Sequence, residues 1–118
     1  MKIVHIGLLV QDLKSAAQFY EHILGLQRID RPELAFDGLW YGLENAQQIH
    51  LMLLPDPYQG CDKPEHGGRD HHVAMQVDDL ALITARLDAA AIQYSMSKSG
   101  RAALFCRDPD GNTIELIA

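Results

Sequence analysis

A chain that writes the same opening twice can fold only as two like modules, and this chain does so. The segment Val4-His5-Ile6-Gly7-Leu8-Leu9-Val10-Gln11-Asp12-Leu13 returns as His71-His72-Val73-Ala74-Met75-Gln76-Val77-Asp78-Asp79-Leu80. The match aligns His5 with His72, Val10 with Val77, Asp12 with Asp79 and Leu13 with Leu80. At nearly the same offset, Ile49-His50-Leu51-Met52 answers to Ile114-Glu115-Leu116-Ile117. Each copy therefore carries a side chain able to hold a metal at the same two points: His5 and His50 in the first, His72 and Glu115 in the second.

Local patterning gives each copy the order βαβββ. Residues 3–10 are β-branched and aliphatic, and strand parity puts His5, Gly7 and Leu9 on one face and Val4, Ile6, Leu8 and Val10 on the other. Asp12 is placed to cap a helix whose apolar stripe is Leu13, Ala16, Ala17, Phe19, Tyr20, Ile23 and Leu24, with Gly25 as its stop. Strands are predicted over 26–29, 39–43 and 48–53. The second copy repeats the order: strand 71–77, cap Asp79, helix over Leu80, Ile83, Leu87 and Ala90 or Ala91, then strands 93–96, 102–106 and 113–117. Asp108-Pro109-Asp110-Gly111-Asn112 has the residues a tight turn needs: a fixed φ, a side-chain acceptor and a positive φ. The fold class read from this pattern is α+β, two tandem βαβββ modules over 1–54 and 71–118 with mixed sheets.

Residues 55–70 hold three of the five prolines together with Gly60, Gly67 and Gly68, the mark of an irregular connector. Its length suits an arm or lid over a site, and His66 within it reads as a solvated loop residue. The 118 residues suit one domain in which two half-size modules share a core. Ten basic residues against sixteen acidic ones, a net charge of -6, argue against nucleic acid, whose phosphates are met by clustered Lys and Arg. No apolar run approaches the roughly 20 residues that span a bilayer. Lys2 leads straight into a polar-punctuated strand and not into an apolar signal region, so a cytoplasmic protein is expected. Cys61 and Cys106 form no CxxC pair and read as a loop thiol and a core thiol.

Each of His5, His50, His72 and Glu115 falls inside a predicted strand among apolar neighbours, where a lone ionisable group is costly to bury. Taken singly, each is satisfied by a hydrogen bond or faces solvent. Taken as a matched set in a pseudo-twofold repeat, the four can converge as three imidazoles and a carboxylate, a shell suited to zinc, nickel, iron, cobalt or manganese. Parity separates the adjacent histidines: His72 aligns with His5 and is the ligand candidate, while His71 points away. Asp78, Asp79 and Asp108, at strand ends, read as turn and cap residues. Arg28, Arg69, Arg101 and Arg107 are candidates to hold an anionic substrate group, with solvated surface as the alternative for each. Trp40, Tyr41, Phe36 and Met52 are candidates to line a pocket for an apolar or planar compound, or to be core.

These residues resemble the vicinal oxygen chelate superfamily, which includes glyoxalase I, the fosfomycin-resistance transferases, the bleomycin-resistance proteins, methylmalonyl-CoA epimerase and the extradiol dioxygenases. The resemblance rests on His5 with Val10-Gln11-Asp12-Leu13, Phe19-Tyr20 and Leu24-Gly25-Leu26, then His72-Val73-Ala74 with Val77-Asp78-Asp79-Leu80, and Asp108-Pro109-Asp110-Gly111-Asn112 followed by Glu115-Leu116. It implies a glyoxalase-like fold of paired βαβββ modules whose sheets curve around a divalent metal that binds two vicinal oxygens of a small-molecule substrate. It further implies a homodimer. His5, His72 and Glu115 match ligand positions of the family, and Glu115 and His50 are the implied catalytic pair. His50 departs from the pattern, since the matching position is a glutamate in glyoxalase I and a glutamine in the epimerase. The function expected is a metal-dependent lyase, isomerase or dioxygenase of non-glyoxalase-I type; the alternative is a non-catalytic sequestration protein of the bleomycin-resistance type.

Overall fold

The computed structural model describes all residues, Met1–Ala118, and divides them into two compact units, Met1–Gln59 and Gly60–Ala118. In the first unit β1 (His5–Val10) is followed by helix α1 (Leu13–Ala17), then by β2 (Gln27–Ile29), β3 (Gly38–Gly42) and β4 (Gln48–Leu53). The second unit has β5 (His72–Gln76), α2 (Leu80–Ala89), β6 (Tyr94–Met96), β7 (Ala103–Arg107) and β8 (Thr113–Ile117). Each unit is thus the βαβββ module that the repeat predicts. The strand orders correspond, β1-β4-β3-β2 and β5-β8-β7-β6, with the first pair of each parallel and the others antiparallel.

Both helices begin where the sequence places their caps. The Asp12 carboxylate accepts the backbone N–H of Ser15 at 2.7 Å, and Asp79 accepts that of Leu82 at 2.9 Å, so orphan N–H groups of the first turn are satisfied. The first helix does not run on as one regular α-helix. After Ala17 it widens into a π-helical turn, Gln18–Ile23, with Leu24 N–H donating to the Phe19 carbonyl at 3.0 Å and Leu26 N–H to that of Tyr20 at 2.9 Å. Gly25, at φ 77°, then stops it as its lack of a Cβ allows.

Register divides each sheet into a covered and an open face. In unit 1, Val10, Tyr41, Ile49 and Leu51 are wholly buried on the face that carries Ala16, Phe19 and Tyr20 of the helix. Tyr20 stacks on Tyr41 with ring centroids 5.8 Å apart. In unit 2, Leu104, Cys106, Ile114 and Leu116 form the covered face, and Ile83 and Leu87 of α2 join the core. Each such aliphatic side chain contributes about 1.5–3 kcal/mol relative to exposure. The opposite parity leaves His5, Gly7, Trp40, Gln48, His50 and Met52 on the open face of unit 1. In unit 2 the same parity gives His72, Phe105, Arg107, Thr113 and Glu115, and here the face is only partly open, since Phe105, Thr113 and Glu115 are buried.

Candidate functional site

In unit 2, His72 lies in β5 and Glu115 in the neighbouring β8, where Glu115 pairs in register with Ala74 on one side and Phe105 on the other. His72 Nε2 lies 3.3 Å from Glu115 Oε2. The other imidazole nitrogen, Nδ1, is 2.8 Å from the Asp70 carbonyl oxygen. A carbonyl only accepts, so Nδ1 carries the proton and donates it. Nε2 and the carboxylate oxygen then face one another as two electron-pair donors that need a cation between them, either a proton on Nε2 or a metal. A ring edge from Phe105, with centroids 5.4 Å apart and planes at 86°, closes one side of His72. His71 is exposed and meets Asp70 only through its backbone N–H, 2.8 Å from Oδ1.

Asp70 is itself pinned. Arg107 Nη1 donates to Asp70 Oδ2 at 2.6 Å, and the Thr113 hydroxyl donates to the same oxygen at 3.1 Å. Arg107 also bonds the Thr113 hydroxyl and, through Nη2, the Pro64 carbonyl at 2.7 Å. The Arg107 bond, against the opposing effect of burial, holds the Asp70 carboxyl below its usual range. Thus an arginine on the open face fastens the segment before β5, and that segment sets the tautomer of His72. The turn Gly67–Arg69 lies against the same face: a Cβ on Gly67 would stand 2.7 Å from Thr113 Cγ2 and 2.8 Å from Phe105 Cβ. His66 is no solvated loop residue, since Nδ1 accepts the Gly68 N–H at 3.0 Å and the ring meets Phe105 edge-on at 5.2 Å.

Glu115 is buried, its side chain 5% exposed, and its second oxygen accepts from Arg101 Nη2 at 3.1 Å. Arg101 is 58% exposed and is steadied by the Ser99 hydroxyl, 3.1 Å from its Nε. The carboxylate therefore has a cationic partner on one oxygen and an imidazole on the other, which accounts for its ability to sit in a strand otherwise apolar.

Unit 1 builds its pair from rings. The His5 and His50 rings stack with centroids 4.2 Å apart, and His50 stacks in turn on Trp40 at 3.8 Å with parallel planes. The three rings rise from adjacent strands β1, β4 and β3. His50 Nε2 lies 2.7 Å from Gln48 Oε1, an acceptor, so it donates its proton there and leaves Nδ1 as the lone-pair nitrogen. Burial first, then the nearby charges of His5 and Arg31, push the His50 pKa below its ordinary value, so it is neutral at physiological pH.

The four positions thus come together two by two, His5 with His50 and His72 with Glu115, and no group of three or more His, Cys, Asp or Glu side chains is gathered. Of the candidate pocket residues, Trp40 and Met52 stand on the open face, whereas Tyr41 is wholly buried on the covered one with its hydroxyl donating to Glu21 at 3.0 Å. Three of the four candidate arginines are occupied: Arg28 by Glu21, Arg101 by Glu115 and Arg107 by Asp70. Arg69 is exposed and lines a cleft of about 370 Å³ with Pro64, Glu65, His66, Ser95 and Lys98. Sequence reasoning missed Asp70, Gln48 and Arg31. Asp70 and Gln48 each stand two residues before a histidine, and for Gln48 that is the same strand face.

A family model described as Glyoxalase/Bleomycin resistance protein/Dioxygenase superfamily matches residues 2–116. Glyoxylase I 4 of Arabidopsis thaliana is 30% identical over 95% of this chain and 67% of its own length. The lactoylglutathione lyase of Haemophilus influenzae is 30% identical over 99% of this chain and 92% of its own. In fold, the chain matches the fosfomycin resistance protein FosX from Listeria monocytogenes with a TM-score of 0.74 at 20% identity, covering 99% of this chain and 90% of that one. No helix is long and apolar enough to cross a membrane.

Proposed function

Because the chain belongs to the glyoxalase/bleomycin resistance protein/dioxygenase superfamily, we propose that it is a divalent-metal-dependent enzyme acting on a small oxygen-rich metabolite, with His72 and Glu115 as metal ligands in unit 2 and His5 and His50 in unit 1. The observation that carries this reading is the disposition of His72: with Nδ1 held on the Asp70 carbonyl, Nε2 and Glu115 Oε2 stand 3.3 Å apart as paired donors. A ligating histidine whose second nitrogen is fixed by a backbone carbonyl has the support that metal-bound imidazoles commonly need. The donors, imidazole nitrogen and carboxylate oxygen, suit zinc, nickel, iron, cobalt or manganese.

A bound metal would supply Lewis acidity to paired oxygens of the substrate. The chain's own residues would supply the rest. Glu115, anchored at Oε1 by Arg101, keeps Oε2 for ligation or for moving a proton. His50, neutral and stacked face to face between the His5 and Trp40 rings, offers Nδ1 as ligand or base. An imidazole in place of a second carboxylate suits a reaction other than that of glyoxalase I. A cytoplasmic homodimer belongs to the same proposal; the exposed Ile3 and Val4 just before edge strand β1 support a second copy as partner, which analytical ultracentrifugation tests.

The deciding experiment is metal titration of chelator-stripped protein by calorimetry, with thermal unfolding alongside. Stoichiometric uptake is expected, with stabilisation of about 2.7 kcal/mol when free metal exceeds Kd a hundredfold. His72→Ala and Glu115→Ala should each weaken uptake severely. No uptake of any of the five metals refutes the proposal. A second reading, sequestration without catalysis, is favoured by the column of Trp40, His50 and His5 on the open face, which suits a planar ligand. It wins if His5→Ala and His72→Ala keep full affinity for the compound that a ligand screen identifies.

A further inference from the structure

Arg31 differs from the four candidate arginines named above. Arg28, Arg101 and Arg107 each face a carboxylate, and Arg69 is exposed to water. Arg31 is only half-exposed and has no carboxylate in ion-pair range. Its Nη2 donates to the Phe36 carbonyl at 2.5 Å, and its guanidinium carbon lies 5.2 Å from the centre of the Phe36 ring. Its Nε is buried with no hydrogen-bond partner. Burying part of a guanidinium without an anion is costly, and an unmet N–H adds to that cost.

The surroundings keep the group in place. Two residues beyond Ile29, whose register partner is Trp40, parity returns Arg31 to the open face. Gly38 makes room for it, since a Cβ there would stand 3.1 Å from Arg31 Nε and would also strike the Leu51 carbonyl. Trp40 and His50 are next along that face, and the charge of Arg31 is felt by His50.

The repeat supplies the comparison that assigns a role. Arg31 lies in the loop between β2 and β3, and Arg101 lies in the corresponding loop of unit 2, between β6 and β7. Arg101 reaches Glu115, the residue that answers to His50. In unit 2 the loop cation is neutralised from within. In unit 1 the matched residue is an imidazole, which carries no negative charge, and the cation is left without its anion.

We propose that Arg31 is an oxyanion-binding residue, which takes a carboxylate or phosphate group of the substrate on the open face of unit 1 beside His50 and Trp40. A guanidinium that is part-buried with no carboxylate of its own is suited to such a group. The inference deepens the proposed enzyme function by making its substrate anionic, and rests on that reading for the word substrate alone.

Trp40 is the single tryptophan, so its fluorescence reports on this face without labelling. The protein as purified, and again after chelator treatment, is titrated with sodium malonate and with inorganic phosphate at constant ionic strength. The expected result is a saturable change for at least one of the two, which also tells carboxylate from phosphate. Arg31→Gln should weaken it tenfold or more. His50→Glu, which gives unit 1 the internal carboxylate that unit 2 has, should weaken it similarly while the chain stays folded by circular dichroism. A wild type that does not saturate overturns the proposal, as does an affinity unchanged in Arg31→Gln. Should both variants fail to fold, the Arg31 Nε resonance of wild-type protein decides: a shift on titration supports the site and no shift refutes it. Saturable, Arg31-dependent anion binding without metal uptake would sink the enzyme reading and leave Arg31; metal uptake without anion binding would do the reverse.

Discussion

Replacing Glu115 by glutamine should separate the stability of the fold from the affinity for metal. The side chain is 5% exposed and has two partners, His72 Nε2 at 3.3 Å and Arg101 Nη2 at 3.1 Å. A glutamine oxygen still accepts from Arg101, and its NH2 can donate to the lone pair that Nε2 bears when Nδ1 donates to the Asp70 carbonyl. What is lost is charge assistance in the Arg101 bond, about 1 kcal/mol at most because Arg101 is largely exposed. What is gained is relief from burying a carboxylate, which offsets part of that loss. The net change in unfolding free energy of metal-free protein should therefore lie within about 1 kcal/mol. Alanine, by contrast, leaves a void on the sheet face, an Arg101 donor without its acceptor and a His72 Nε2 without a partner, for a loss of about 2–4 kcal/mol. Metal affinity should fall in both, by about a hundredfold or more, equivalent to about 2.7 kcal/mol. Urea unfolding of the metal-free proteins and calorimetric metal titration give the two numbers separately. Glutamine and alanine variants equally destabilised, or a glutamine variant that binds metal as wild type does, would refute the reasoning.

Gly67→Ala should cost about 1–3 kcal/mol by overpacking against Thr113 and Phe105, read as a lower urea midpoint; an unchanged midpoint would show that the turn lifts off the sheet freely. Burial works against ionisation of Glu21, but bonds from Arg28 and Tyr41 prevail and hold its carboxyl below the usual value of 4.5. Its contribution is thus present above that value and is lost as pH falls through the lowered one, so Glu21→Gln should flatten the acid limb of a stability–pH profile. Cys61 is exposed, whereas burial pushes the Cys106 thiol up to about 12; one thiol per chain should react at once with a disulfide reagent at neutral pH and the second only on unfolding.

The features legible in the sequence are those written locally. Asp12 and Asp79 cap because their carboxylates reach N–H groups three residues on, and Gly111 adopts φ 84° in the turn before β8 because the backbone there demands it. Strand parity put His5 opposite the oilier face of its strand and separated His72 from His71, while the repeat alone singled out His50 and Glu115. Parity also separates Trp40 from Tyr41, adjacent residues that composition alone groups as pocket lining. The partners of the site residues were not legible, since Arg107 meets Pro64 and Arg101 meets Glu115 across long stretches of chain. Nor was the π-helical turn, because Ala16, Phe19, Tyr20 and Ile23 have the spacing of an ordinary amphipathic helix.

The two copies divide what backbone geometry dictates from what side-chain charge decides. Register puts an ionisable residue at the same place on β4 and β8, and a loop arginine at the same place in the chain order of each unit. From there the exchange of His50 for Glu115 sets the two units on different courses. With a carboxylate at the strand position, the arginine is drawn in, the ion pair closes, and Glu115 is oriented toward His72. With an imidazole there, ring stacking and a glutamine amide take over the task of orientation, and the arginine is held by a carbonyl and a ring instead. One exchange at residue 50 thus does two things at once: it offers a neutral donor where a charged one would stand, and it leaves a positive charge to be met from outside the chain.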